Sequence, residues 1–171
     1  MNTSTQQKLD KAQSLAKSAQ VFAVIALVII GLTVLTTAVI PIFQLLLERD
    51  LPWTELVNEA GLLLVQILPA TLLYASINQL RYALEKYSAG EFFGDATSKH
   101  VAEAGDYAVE ALVAVILIVP NLTQWIQHNI GFELRLESEY IGMLAFAIFI
   151  AVVGRILSAA AYLQQENESF V

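Results

Sequence analysis

Four long apolar runs constrain this chain more than any motif does: residues 21–47, 60–80, 106–125 and 140–163. About 20 apolar residues in a helix span the roughly 30 Å of a bilayer's hydrocarbon core. Helices meet the lipid's main demand by bonding every backbone N–H and C=O within the segment. The runs therefore predict an all-α, integral membrane four-helix bundle. Composition agrees: 15% of the residues are charged, against about one-quarter in a soluble domain. A chain of 171 residues has room for one such bundle and no separate soluble domain.

Taken in order, residues 1–20 are polar and carry Lys8, Lys11 and Lys17, with Leu9, Ala12, Ala16 and Ala19 near one face. They read as a cytoplasmic helix running straight into the first span, residues 21–47. A cleaved signal is the competing reading, but the apolar run is too long for it. Pro41 is expected to kink the first span, with Thr33, Thr36 and Thr37 bonding the freed carbonyls. An acidic connection, residues 48–59, holds Pro52 and the interfacial Trp53. The second span with its cytoplasmic extension covers residues 60–87, with Pro69 near its middle. Residues 88–105 read as a cytoplasmic loop, in which Gly90 and Gly94 bracket Phe92 and Phe93. Asp95 or Thr97 is placed to cap the helix leading into the third span, residues 106–125. Between residues 127 and 139, Phe132, Leu134 and Leu136 alternate with Glu133, Arg135 and Glu137, a period of two that predicts a short strand or an extended interfacial segment. The fourth span covers residues 140–163, and residues 164–171 form an acidic cytoplasmic tail.

Lysine and arginine in short loops set the orientation of such a chain. Lys8, Lys11, Lys17, Arg81, Lys86 and Lys99 fall on one side, and only Arg49 and Arg135 on the other. Both termini and the 88–105 loop are thus expected in the cytoplasm. The net charge of −7 lacks the basic footprint that nucleic acid needs. With no cysteine there is no disulfide framework and no thiolate chemistry.

Charges inside spanning segments need a partner, a water path or a shallow position. Asp106 and Glu110 stand one turn apart on the third span, and Arg155 interrupts the fourth. With the expected orientation these residues lie at similar depth, together with Asn78 and Arg81 at the end of the second span. The reading is a polar cluster of Asn78, Arg81, Asp106, Glu110 and Arg155, with Glu110 as the partner of Arg155. Its bland form is a clamp fixing helix register, or an Arg155 that snorkels to lipid phosphate. Its sharper form is an ion or proton relay, or an anion site, with Glu110 as the titrating group. On the fourth span Ala147, Ala151, Gly154 and Ser158 make a stripe of small residues that lets helix backbones approach closely, within the bundle in preference to a dimer.

Catalytic signals are poor. His100 and His128 fall on opposite sides of the membrane, and there is no HExxH pattern or glycine-rich phosphate loop. His100 and Glu103 are one turn apart, too few ligands for a divalent metal. No catalytic residue, cofactor or metal is expected.

Two stretches carry a family resemblance: YSAGEFFGDATSKHVAEAG after the second span, with its G-x-x-F loop, and GMLAFAIFIAVVGRILSAAAYLQQENESFV at the end, an apolar run, a basic residue and a glutamate-rich tail. With the order of four spans, they make the chain resemble a family of small bacterial four-span membrane proteins known as domain-of-unknown-function family 2975. The chain departs from the family's pattern in lacking the threonine and asparagine after the loop phenylalanine and in the extra acids of the third span. The resemblance implies a bacterial inner-membrane protein, some relatives being encoded beside small helix-turn-helix regulators. It supplies no catalytic residues.

These readings converge on a non-enzymatic membrane component that senses, anchors or regulates. The alternative is a small transporter or channel subunit using Glu110, Asp106 and Arg155. The lipid bilayer is the one firm partner. A membrane or cytoplasmic protein and a second copy of the chain are left open, and nucleic acid is excluded.

Overall fold

The computed structural model describes residues 3–47, 52–92, 94–129 and 131–169. The helices are α1 (Thr3–Val34), α2 (Ile40–Leu47), α3 (Trp53–Ser88), α4 (Asp95–Val113), α5 (Val119–Ile126) and α6 (Ser138–Ser169). A π-helical turn, Leu35–Val39, joins α1 to α2, and a second, Ala114–Ile118, joins α4 to α5. The helices therefore form four continuous rods. Each rod is long and apolar enough to cross a membrane: Gln6–Leu47, Trp53–Ser88, Asp95–Ile126 and Ser138–Leu163. The protein is an all-α helical bundle, and no strand occurs among the described residues.

Both π turns end two residues before a proline, Pro41 and Pro120. Proline has no N–H to give and its ring crowds the preceding turn, so a widened turn relieves the helix there. The threonines of the first rod act differently from the expectation. Thr33 Oγ1 donates to Ile29 O, Thr36 Oγ1 to Leu32 O, and Thr37 Oγ1 to Thr33 O. A threonine hydroxyl in a helix reaches the carbonyl four residues back, so these bonds serve the turn before the π turn, not the carbonyls that Pro41 frees.

Several boundaries differ from those the sequence suggests. Residues 53–59 belong to α3 and not to the connection: Pro52 is extended, with φ −57° and ψ 141°, and its carbonyl accepts Leu56 N–H, opening the helix. Residues 48–51 of the expected acidic connection, Phe93, and residues 170–171 of the tail lie outside the described residues. The expected 88–105 loop shrinks to a turn after Ser88, because α4 begins at Asp95. Thr97, Ser98, Val101, Ala104 and Gly105 are buried there, which holds the first turns of α4 in the bundle. The expected 164–171 tail continues α6 as far as Ser169.

The turn itself is tightly built. Gly90 adopts φ +91°, a left-handed conformation that favours glycine, and Glu91 N–H bonds back to Lys86 O to close α3. Tyr87 stacks on Phe92 with ring centroids 5.9 Å apart, and Thr97, 1% exposed, donates to Glu91 O. α1 covers this turn, since a Cβ on Gly90 would stand 2.8 Å from Gln13 Nε2.

The rods pack as a row in chain order, the first on the second, the second on the third, and the third on the fourth. The closest pair is the third and fourth. A Cβ on Gly105 would lie 2.3 Å from Ala151 N, and one on Gly154 would lie 2.3 Å from Ala102 N. Backbone meets backbone there, as small residues permit. Ala147, Ala151 and Gly154 are buried in this contact. Ser158 Oγ donates to Asp95 Oδ1 at 3.0 Å, tying α6 to the first residue of α4. The small-residue stripe of α6 thus lies against α4 of its own chain. The second rod joins the third through Ser76 Oγ, which donates to Ala104 O at 2.7 Å.

Candidate functional site

The polar residues expected to form one cluster occupy separate places. Arg155 Nη2 donates to Asp106 Oδ1 at 2.8 Å, across the junction of α6 and α4. Arg155 therefore pairs with Asp106 and not with Glu110. The reason is the helix contact beneath: Asp106 and Arg155 each follow one of the two close-contact glycines, Gly105 and Gly154. A rotation of 100° from the contact line carries both to the same flank. Glu110 is exposed on α4 one turn further on, and takes no ion pair among the described residues.

Asn78 and Arg81 belong to a different surface. Asn78 Oδ1 accepts Arg81 Nε at 3.2 Å, Arg81 Nη1 lies 3.6 Å from Glu85, and the guanidinium sits 4.2 Å from the centre of the Tyr82 ring. Asn78 and Arg81 line, with Tyr74, a groove between α1 and α3, opposite Val24, Leu27, Val28 and Gly31. Next to it His100 Nδ1 meets Gln79 Oε1 at 2.7 Å, and the His100 and Tyr82 rings lie 5.5 Å apart. Sequence reasoning left Gln79 and Tyr82 out. Gln79 and Tyr82 stand three residues apart on α3 and so share a face, but nothing in the chain order alone names His100 as the α4 residue they meet.

A third polar assembly holds the 131–137 connection to the end of the third rod. Asn121 acts as a strand edge would: its Nδ2 donates to Glu133 O at 2.7 Å and its Oδ1 accepts Glu133 N–H at 3.0 Å. The Ile116 carbonyl, which residue 120 would serve if it were not proline, accepts Arg135 N–H at 3.1 Å. Glu133 also accepts from Arg135 Nε at 2.9 Å and Gln124 Nε2 at 2.8 Å. The alternation of residues 132–137 thus falls on irregular backbone with no strand partner among the described residues, held instead by the Asn121 side chain.

The Arg135 hydrogen bond, with that of Gln124, holds the Glu133 carboxyl below the usual glutamate range. A depressed carboxylate stabilises the folded state above its unfolded pKa, and that contribution is lost as pH falls through the folded value. Amide exchange at Glu133 and Arg135 is therefore expected to speed up as pH drops below the usual glutamate range of about 4.3, beyond the intrinsic rate. Glu133→Gln should remove that acid step, and an unchanged acid step in the variant would refute the assignment.

An apolar groove of about 620 Å³ lies between the second, third and fourth rods, lined among others by Pro69, Leu73, Ala111, Val115, Met143 and Phe146. It offers burial for hydrocarbon, and its lining holds no carboxylate, histidine, lysine or arginine. Among the described residues no three His, Asp or Glu side chains gather as a metal-binding set. The chemistry on offer is ion pairing at the flank of the third and fourth rods, the internal cation–π contact of Arg81 on Tyr82, and helix–helix packing. Comparison with protein-family models, with curated proteins and with solved structures finds no match to this chain.

Proposed function

We propose that this chain is a multi-pass protein of a bacterial inner membrane, with both termini and the Gly90 turn in the cytoplasm, and that it senses, anchors or regulates without catalysing a reaction. The resemblance to family 2975 belongs to the same proposal and rests on the loop and closing-span motifs. The observation that carries the functional reading is the distribution of polar groups. Asp106–Arg155 and Asn78–Arg81 lie on different surfaces of the row of rods, and the large groove between the rods is apolar. A transport path needs polar groups that follow one another across the membrane. These polar groups do not line up as one.

Two measurements test the proposal. The chain has no cysteine, so single cysteines can be placed freely. In intact cells a membrane-impermeant maleimide should label Asn129→Cys and leave Gln7→Cys unlabelled; the opposite pattern would reverse the orientation. In sealed vesicles the purified chain should carry no proton or cation flux above that of empty vesicles. A flux abolished by Glu110→Gln would replace the regulatory reading with a transporter.

A further inference from the structure

One flank of the third and fourth rods faces away from the rest of the bundle. On α4 it presents Asp106, Glu110 and Val113, and on α6 Ile148, Val152 and Arg155, all partly or fully exposed. The role of this flank rests on the proposed membrane reading. In that setting Glu110 is 15 residues along the helix from Asp95, about 22 Å at 1.5 Å per residue. An apolar stretch follows it, and a lipid-facing carboxylate there is costly unless it is partnered.

The same flank carries the complementary charge. Arg155 uses Nη2 on Asp106, and its side chain is still 65% exposed. Nη1 and Nε take no partner among the described residues. A guanidinium has five N–H donors in a fixed fork and can hold two carboxylates at once. The levels match as well. Gly154 backs onto Ala102, so the Arg155 backbone stands beside that turn of α4. Its bond to Asp106 shows the guanidinium reaching about a turn further along α4, toward Glu110. Side chains on a helix lean toward its N-terminus, which brings the Glu110 carboxylate back toward Asp106.

We propose that this flank is the interface of a parallel twofold dimer of the chain, in which Glu110 of each copy meets Arg155 of the other. Two copies inserted the same way close only about an axis along the membrane normal. Across such an axis the third rod of one copy faces the fourth rod of the second, so contacts occur twice. An acid on the third rod and a base on the fourth, at one depth and on one flank, complement themselves under that symmetry. Val113, Ile148 and Val152 supply the apolar surface around the two ion pairs. Arg155 then bridges its own Asp106 and the second copy's Glu110.

The test uses the full chain in phospholipid vesicles. Alkaline carbonate extraction comes first: a chain released from the membrane overturns the membrane reading and this proposal together. With the chain retained, a short bis-maleimide should cross-link Val113→Cys into dimers and should leave Leu73→Cys, on the groove side of the second rod, monomeric. Adding Glu110→Gln to Val113→Cys should lower the dimer yield about tenfold or more, since two symmetry-related polar contacts are lost. The thermal unfolding of the monomer should stay unchanged, because Glu110 takes no ion pair among the described residues of its own chain. Retained but monomeric protein, dimers captured only through Leu73→Cys, or a yield indifferent to Glu110→Gln would each overturn the dimer while leaving the membrane reading standing. A cross-link from Val113→Cys to a different protein would also overturn it, in favour of a second kind of chain on this flank.

Discussion

Gly154→Ala, the addition of one methyl group, is expected to destabilise the protein by about 1–3 kcal/mol or more, the range for overpacking a tight contact. The added Cβ would stand 2.3 Å from Ala102 N and 2.6 Å from Ala102 Cα. Both are backbone atoms, so no rotamer change clears the overlap, and α4 and α6 must move apart. That movement loosens the neighbouring Gly105–Ala151 approach, and with it the Arg155–Asp106 and Ser158–Asp95 bonds that depend on the same spacing. Gly105→Ala, with its Cβ 2.3 Å from Ala151 N, should behave alike. Gly31 and Gly142 are internal controls, because a Cβ on either meets nothing within 4 Å. Alanine there should be neutral or stabilise by about 0.5–1 kcal/mol, the helix preference for alanine over glycine. Unfolding of the purified protein in mixed micelles, followed by circular dichroism, distinguishes the two pairs. Gly154→Ala as stable as Gly142→Ala would show that the close approach is not what holds the fourth rod.

Asn121→Ala should release the 131–137 connection from the end of the third rod. The Asn121 amide makes three bonds at once, donating to Leu117 O at 2.6 Å and Glu133 O at 2.7 Å while accepting Glu133 N–H at 3.0 Å. The residue is 8% exposed, so its loss leaves backbone groups of Glu133 to find water in a crowded place, at a cost of about 1–3 kcal/mol. The neighbouring Arg135 N–H to Ile116 O bond should weaken with it, since the same strip of backbone carries both. Hydrogen exchange read at Glu133 and Arg135 should accelerate in the variant and stay slow in α3. Asn121→Asp is the sharper change. It has nearly the same size, keeps an acceptor for Glu133 N–H, and sets a second oxygen against the Leu117 and Glu133 carbonyls. It should do at least as much damage as alanine. An aspartate variant with native exchange rates would show that Asn121 fills space and does not clamp.

Much of the architecture was legible because it depends on local chemistry. The apolar runs predicted four helices, and the described residues form four rods that contain those runs and extend beyond them. Pro41 and Pro120 marked disturbances that proline imposes through its missing N–H wherever it stands in a helix. The alternation around Leu134 excluded a helix there. The boundaries that failed lie where tertiary burial extends a helix through polar sequence. Residues 95–105 look like a loop by composition, yet Thr97, Ser98 and Gly105 are small enough to be buried between neighbours, and α4 starts at Asp95.

The candidate site was less legible, for a specific reason. The sequence placed Asp106, Glu110 and Arg155 at similar depth, and depth follows from residue number along a helix. It did not say how far each helix is rotated about its own axis against its neighbour. That rotation is set by Gly105 and Gly154, where one backbone enters the other. The choice of Asp106 over Glu110 follows from it, whereas the rotation of α3, which turns Ser76 to α4, sets Asn78 and Arg81 on the α1 side. The pairs Gly105-Asp106 and Gly154-Arg155 carry that information in the chain, but it becomes readable only when one knows which two glycines face each other.

The sequence by itself thus determined the number of rods, their apolar character and the disturbance at two prolines, since periodicity, run length and backbone chemistry act within a few turns. The tertiary structure alone decided the order of packing, the rotation of the fourth rod on the third, the partner of Arg155 and the exposure of Glu110. Those depend on which small surfaces meet over distances that no local pattern spans.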